Sequence, residues 1–155
     1  MILQSVFPKN SIILDLESED KDELFEELLQ NIVNRHDEID RDEAMNALKK
    51  REEKMTTGIL PAIAVPHCSI DTVQGVVGAI GISKKGIEYG SLDGEPVHFI
   101  FMMICNASDD SLHLTALHDL AVVLKSSEFI DLLGASPSVE DVWEFLGKSD
   151  FFFEA

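Results

Sequence analysis

Basic residues are scarce in this chain. Its 155 residues include 12 lysines and arginines against 29 aspartates and glutamates, which gives a formal net charge of −17. A chain this acidic is repelled by phosphate backbones and by anionic lipid surfaces, because it has few cations with which to displace their counterions. The composition therefore argues against nucleic acid as a ligand and favours a basic protein partner.

Cysteine and long apolar runs are scarce as well. The two cysteines, Cys68 and Cys105, have neither zinc-type nor C-x-x-C spacing and make no disulfide framework, so we expect reduced thiols. No apolar run approaches the roughly 20 residues that a membrane helix needs. The first nine residues lack the basic, apolar and small-residue regions of a signal peptide. We therefore predict a cytoplasmic protein without direct membrane insertion.

The length and the 45% hydrophobic content indicate a single domain spanning residues 1–155. Apolar residues at helical spacing predict a helix that begins near residue 20, capped by Ser18, and further helices over 40–53, 111–126, 128–133 and 139–146. Apolar runs predict strands over 11–14, 62–65, 76–83, 87–89 and 97–104. Strands enclosed between helical blocks are typical of a layered α/β domain.

The chemistry concentrates in the segment from Arg51 to Cys68. A charged helical stretch passes through Thr56-Thr57-Gly58 into an apolar run that stops at Pro66-His67. A strand that ends this way presents an imidazole at the edge of the sheet. Neutral imidazole is the side chain best suited to accept and release a charged group near neutral pH. His67 is therefore the first candidate for a functional residue.

The other four histidines differ in what their positions predict. His113 opens a helix after the loop 106–110, where a site at the sheet edge would draw a second polar group. The remaining three have structural interpretations, at a helix end, inside an apolar strand and on a helix of mixed polarity: His36, His98 and His118.

Two rival sites can be weighed from spacing. A zinc site is disfavoured for two reasons. The side chains of His113 and His118 diverge by about 140° on a helix, and those of the adjacent His67 and Cys68 would point to opposite faces of a strand. The same strand geometry disfavours a nucleophile pair formed by Cys68 and His67. A pair of Cys68 with His113 stays open.

The Arg51–His67 segment resembles the phosphorylation-site signature of the fructose/mannitol-type IIA (EIIA) domain of the bacterial phosphoenolpyruvate-dependent sugar phosphotransferase system (PTS). The signature's R-E, S-T-G-I and I-A-I-P-H align with residues 51–52, 56–59 and 63–67. Motifs over 85–89, 92–101, 113–117 and 136–142 also match in order and spacing. Residues 60–62 depart from the family: Leu60-Pro61-Ala62 stands where small residues, often Gly-Asn-Gly, are usual.

The resemblance implies a mixed central β-sheet flanked by helices and an enzymatic role as a phosphohistidine carrier, with no cofactor or metal. The family receives a phosphoryl group from the carrier HPr, or from its nitrogen-branch relative, and passes it to a IIB domain or regulates target proteins. By matched position, His67 is the phosphoryl acceptor, His113 the second active-site histidine and Arg51 the nearby arginine. The alternative is a non-catalytic regulatory module with the same fold that acts through protein contacts.

Overall fold

Two long antiparallel strands, β4 (Val76–Ile87) and β5 (Val97–Asn106), form the centre of the sheet in the computed structural model, which describes residues 2–148. A short strand, β1 (Ile12–Ile13), pairs in parallel with β4. On the other side, β2 (Ile63–Ala64) and β3 (His67–Ile70) pair in parallel with successive parts of β5. The mixed central sheet implied by the resemblance is confirmed.

Among residues 2–148, six α-helices cover the two faces of this sheet. They are α1 (Ile2–Val6), α2 (Lys21–Arg35), α3 (Arg41–Lys54), α4 (Asp110–Leu124), α5 (Ser127–Gly134) and α6 (Val139–Gly147). Helices α2 and α3 pack on one face, and the other four pack on the opposite face. The apolar run in β5 follows from this layering, because Ile100, Met102 and Ile104 face α2 and α3 while Phe101 and Met103 face the other helices.

The helix predictions from residue 40 onward are confirmed to within a few residues, and one cap is wrong. Helix α2 is capped by Asp20, whose carboxylate accepts a hydrogen bond from the backbone N–H of Glu23 at 2.8 Å. Ser18 instead donates its hydroxyl to Glu27 at 2.5 Å. Helix α1 was not predicted, since its five residues are too few to show a helical period.

The strand predictions need two corrections. The predicted separate strand over 87–89 is wrong, because β4 continues through an irregular register to Ile87, opposite Val97. The strand predicted over 62–65 stops at Ala64, and the chain resumes strand geometry at His67 as β3. This resumption depends on pairing with β5, which local sequence does not reveal.

Gly78 of β4 offers a test of how closely Phe7, the residue after α1, and the neighbouring strand β5 pack around β4. A Cβ atom placed there would lie 2.4 Å from a ring carbon of Phe7 and 2.6 Å from the backbone oxygen of Met102. We expect Gly78→Ala to lower the free energy of unfolding by about 1–3 kcal/mol, because the backbone atom cannot move aside. Denaturant unfolding measures this change.

Gly134→Ala is the matched control, because nothing lies within 4 Å of the added atom at the end of α5. Its unfolding free energy should stay within about 1 kcal/mol of the parent. Equal stability of the two variants would contradict the packing described for Gly78.

Candidate functional site

His67 lies where the edge of the sheet is interrupted. Val65 and Pro66 separate β2 from β3, and His67 is the first residue of β3, opposite Met103 of β5. Its ring Nδ1 lies 2.8 Å from the backbone oxygen of Val65. A carbonyl oxygen can only accept, so Nδ1 carries the hydrogen and the lone pair of the neutral ring is on Nε2.

The surroundings of His67 favour its neutral form. Burial lowers the pKa of His67 below its usual value, and the electrostatic effects of Arg51 and His113 lower it further. The hydrogen bond to Val65 and the negative charge of Glu52 act in the opposite direction. Because the net shift is downward, Nε2 is available as a nucleophile at neutral pH.

His113 faces His67 from the other side of the site. It lies one turn into α4, a helix whose N-terminus is capped by Asp109. The rings of His113 and His67 meet edge to face, with centroids 5.8 Å apart. Nδ1 of His113 is 3.4 Å from the hydroxyl of Ser69, and Nε2 is buried without a hydrogen-bond partner among residues 2–148.

Arg51 and His67 line the same pocket. Arg51 is in the last turn of α3, and its guanidinium donates to the backbone oxygen of Met55 at 2.9 Å. The pocket has a volume of about 210 Å³, and its remaining walls come mainly from the 55–60 loop, Ile63, Val65 and the apolar face of α4. The structure therefore brings together all three residues that the sequence motif singled out.

Spacing alone missed three residues around the site: Glu52, Ser69 and Tyr89. The family motif included Glu52 but assigned it no role. In the structure, its buried carboxylate contacts both Thr57 and Tyr89. Ser69 follows His67 by two residues, so in a strand its side chain shares the same face. That period-of-two relation was the one available signal for Ser69. Glu52 and Tyr89 lie far apart in the sequence, so no local sequence pattern could indicate their contact.

The pairing of Cys68 with His113 that spacing left open is excluded by the fold. Cys68 packs in the core against α3, on the face of the sheet opposite α4. Burial, Cys105 and Glu43 raise the pKa of the Cys68 thiol to about 12, so it is not a thiolate near neutral pH. Both cysteines are free and buried.

The structural interpretation of His98 is supported, because its Nδ1 donates to the backbone oxygen of Ser83 at 2.8 Å. His36 is the C-terminal cap residue of α2, and His118 is exposed on α4. Across residues 2–148, no helix combines the length and the apolar character that crossing a membrane requires.

The divergent loop at 60–62 keeps a conformation that normally favours glycine. Ala62 has a φ of 65°, in the left-handed region. Its backbone oxygen accepts hydrogen bonds from the N–H groups of His98 and Phe99 at 2.8 and 3.0 Å. These bonds tie the loop to the start of β5 and hold Ala62 in its strained conformation.

Comparison with known proteins places these features in a family. Residues 5–149 match the family model described as "Phosphoenolpyruvate-dependent sugar phosphotransferase system, EIIA 2". The chain is 30% identical over 150 residues to the PTS system fructose-specific EIIABC component of Bacillus subtilis (strain 168). That alignment covers 97% of this chain and 24% of the relative, so the chain spans about a quarter of its length.

Solved structures share the fold. Nitrogen regulatory protein IIA-Ntr from Neisseria meningitidis matches with a TM-score of 0.87 and 26% identity, covering 94% of this chain and 99% of that one. Enzyme IIAMTL of Escherichia coli, in its complex with phosphorylated enzyme IIBMTL, matches with a TM-score of 0.75 over 91% and 98% of the two chains. At 20% identity, the second match shows a likeness of fold alone.

The strain at Ala62 leads to a stability prediction. We expect Ala62→Gly to raise the free energy of unfolding by about 0.5–1 kcal/mol, because relief of the left-handed strain outweighs the added freedom of the unfolded chain. Denaturant unfolding measures the change.

Ala121→Gly is the control, because Ala121 is exposed within α4, where glycine should cost about 1 kcal/mol. The two substitutions should therefore have opposite signs. Destabilisation of both variants by similar amounts would contradict a strained backbone at Ala62.

Proposed function

Because the chain belongs to the EIIA 2 family of the phosphoenolpyruvate-dependent sugar phosphotransferase system, we propose that it carries a phosphoryl group on Nε2 of His67. The observation that carries this proposal is the hydrogen bond from Nδ1 to Val65, which leaves the Nε2 lone pair free. In this proposal, residues 1–155 form one EIIA domain that works in the cytoplasm. The phosphoryl donor is an HPr-like carrier, and the receiver is a IIB domain or a regulatory target.

The transfer needs only an aligned nucleophile and compensation of negative charge. Nε2 attacks the phosphorus of the donor's phosphohistidine, so the new P–N bond forms as the donor's P–N bond breaks and its electron pair returns to the donor's nitrogen. The proton on Nδ1 stays in its hydrogen bond to Val65, so no general base is required. Transfer to a IIB domain repeats these steps with His67 as the leaving group.

The other two site residues compensate the charge of the phosphoryl group. Arg51 offers a planar, permanent cation at the wall of the same pocket. His113 offers its unpartnered Nε2, which donates to a phosphoryl oxygen when the Ser69 hydroxyl donates to Nδ1. Both groups act best in a site from which water is excluded, because charges interact more strongly there.

An apolar rim supports docking of a protein partner at this site. The large apolar side chains that are exposed among residues 2–148 all lie near it: Met55, Ile59, Leu60, Leu92 and Leu114. The first three line the pocket, Leu92 is hydrogen-bonded to the backbone of Gly58, and Leu114 follows His113. Exposed apolar side chains grouped in this way are typical of protein interaction surfaces.

The alternative of a non-catalytic regulatory module is also compatible with this apolar rim, because such a module acts through protein contacts. It differs in requiring no chemistry at His67. Partner binding by such a module should therefore be the same for the parent, His67→Ala and His67→Asp.

Phosphorylation of His67 is directly testable. When the chain is incubated with phosphoenolpyruvate, enzyme I and HPr, we expect intact-mass analysis to show one added, acid-labile phosphoryl group. Nitrogen-15 NMR should place it on Nε2, because Nδ1 keeps its bond to Val65. His67→Ala should acquire none, whereas His118→Ala, an exposed position on α4, should be modified normally. Modification of His67→Ala, or none of the parent, would contradict the proposal.

The apolar rim predicts a docking defect. We expect Leu114→Ser to lower kcat/KM for phosphorylation by HPr about tenfold, mainly through a higher KM, because Leu114 is 66% exposed next to His113. Thr115→Ser, at the next exposed position of α4, is the control and should leave KM unchanged. An unchanged KM in Leu114→Ser would argue against docking on this rim.

A further inference from the structure

We propose that Glu52 is a positioning residue for phosphoryl transfer. Its carboxylate fixes the loop formed by residues 56–58, and that loop fixes the backbone of Val65, which orients the imidazole of His67. The inference rests on the proposed function of His67. It assigns Glu52 no contact with the phosphoryl group.

The carboxylate of Glu52 is buried and receives several hydrogen bonds. Its side chain is 8% exposed, although the residue next to it, Arg51, lines the reaction pocket. Thr57 donates its backbone N–H at 2.8 Å and its hydroxyl at 2.6 Å, and the hydroxyl of Tyr89 donates at 2.8 Å. A buried carboxylate is expensive to desolvate, so this number of donors indicates a fixed position.

The donors to Glu52 are themselves immobile. Thr57 is 5% exposed and Tyr89 is 2% exposed. Between them lies Gly58, where an added Cβ atom would be 2.7 Å from the hydroxyl oxygen of Ser91 and 3.1 Å from the Tyr89 ring. The backbone oxygen of Gly58 also accepts from the N–H of Leu92 at 3.0 Å. The loop is therefore held between Glu52 on one side and residues 89–92 on the other.

Two further hydrogen bonds connect this loop to His67. The backbone oxygen of Thr57 accepts from the N–H of Val65 at 3.2 Å. The oxygen of Val65 then accepts from Nδ1 of His67 at 2.8 Å. A continuous path thus leads from the carboxylate of Glu52 through Thr57 and Val65 to the ring nitrogen whose hydrogen leaves Nε2 free.

The charge of Glu52 also acts on the site. Glu52 raises the pKa of His67, in opposition to burial, Arg51 and His113. On its other side, Glu52 faces a cleft between α2 and α3 that holds charges of both signs: Lys21, Asp22, Lys49 and Glu53. Within this cleft, Nζ of Lys21 lies 3.4 Å from the carboxylate and 4.1 Å from the centre of the Tyr89 ring. The carboxylate of Glu52 therefore has a cation beside it on the side of the cleft, while the neighbouring Arg51 lines the pocket.

The test compares Glu52→Gln with Glu53→Gln in the full chain. Glu53 is the matched control, because it is exposed, adjacent and on the same helix. We expect Glu52→Gln to slow single-turnover phosphorylation by HPr about tenfold or more, with little change in KM, because the docking rim is untouched. In nitrogen-15 NMR of the unphosphorylated chain, His67 should lose its single tautomer, and its pKa should fall because a neighbouring negative charge is removed. Glu53→Gln should match the parent in every readout.

Tyr89→Phe separates position from charge and remains informative if Glu52→Gln fails to fold. It removes one donor and leaves the carboxylate charged, so the rate should fall a few-fold, with mixed tautomers and a His67 pKa near that of the parent. Parent-like rate and tautomer in either folded variant would overturn the inference.

The two proposals fail in different ways. A parent chain that never acquires a phosphoryl group contradicts the function proposed for His67. A parent that is phosphorylated normally, together with a folded Glu52→Gln variant that behaves the same, contradicts only the role of Glu52. The NMR readouts need no phosphorylation, so they test the positioning by Glu52 in either case.

Discussion

The hydrogen bond from Nδ1 of His67 to the backbone oxygen of Val65 depends on the position of Val65 at the edge of the sheet, and the proposed chemistry depends on that bond. The segment from Ile63 to Ile70 keeps one register against β5, whose N–H groups at Phe99 and Met103 donate to the oxygens of Ala62 and Pro66. Backbone groups alternate in direction along a strand, so the oxygen of Val65 points away from β5 and is free to accept from another donor. The ring of the following histidine can therefore bond back over two residues. The unpaired side of this edge strand thus both presents the imidazole and determines its tautomer.

The site also solves an electrostatic problem that the composition creates. A chain with a net charge of −17 repels a phosphoryl group, whereas the proposed function requires it to receive one. The structure places His113 against the partly buried ring of His67, and it places Arg51 in the same mostly apolar pocket as that ring. In such surroundings a single cation has a larger effect than several charges exposed to water. The acidic residues on the solvated helix faces affect a bound phosphoryl group much less, because water and salt screen their charges.

The sequence predicted the parts of the fold that rest on local periodicity. Helices α2 to α6 and the strands β1, β4 and β5 have apolar patterns, whereas the five residues of α1 are too few to show one. Strand β3 was missed, because only its pairing with β5 makes residues 67–70 extended. The positions of His67 and His113 in the sequence pointed to them, and the family motif added Arg51 and the roles of all three. Their proximity could not be derived from spacing along the chain. His113 comes close to His67 because α4 packs on the sheet beside the start of β3. The contacts of Glu52 with Thr57 and Tyr89 were missed for the same reason.

The loop of Leu60, Pro61 and Ala62 shows how the site persists without the family's glycines. Glycine lowers the cost of a left-handed turn, but it does not create the turn. Here the turn is imposed by its surroundings. Two N–H groups of β5 donate to the oxygen of Ala62, and the next residue, Ile63, pairs with Phe99. These bonds form only if the chain reverses at Ala62, and together they offset a strain of about 1–2 kcal/mol at one residue. The loss of the glycines therefore lowers stability locally, while the position of His67 is set by Val65, Pro66 and β5.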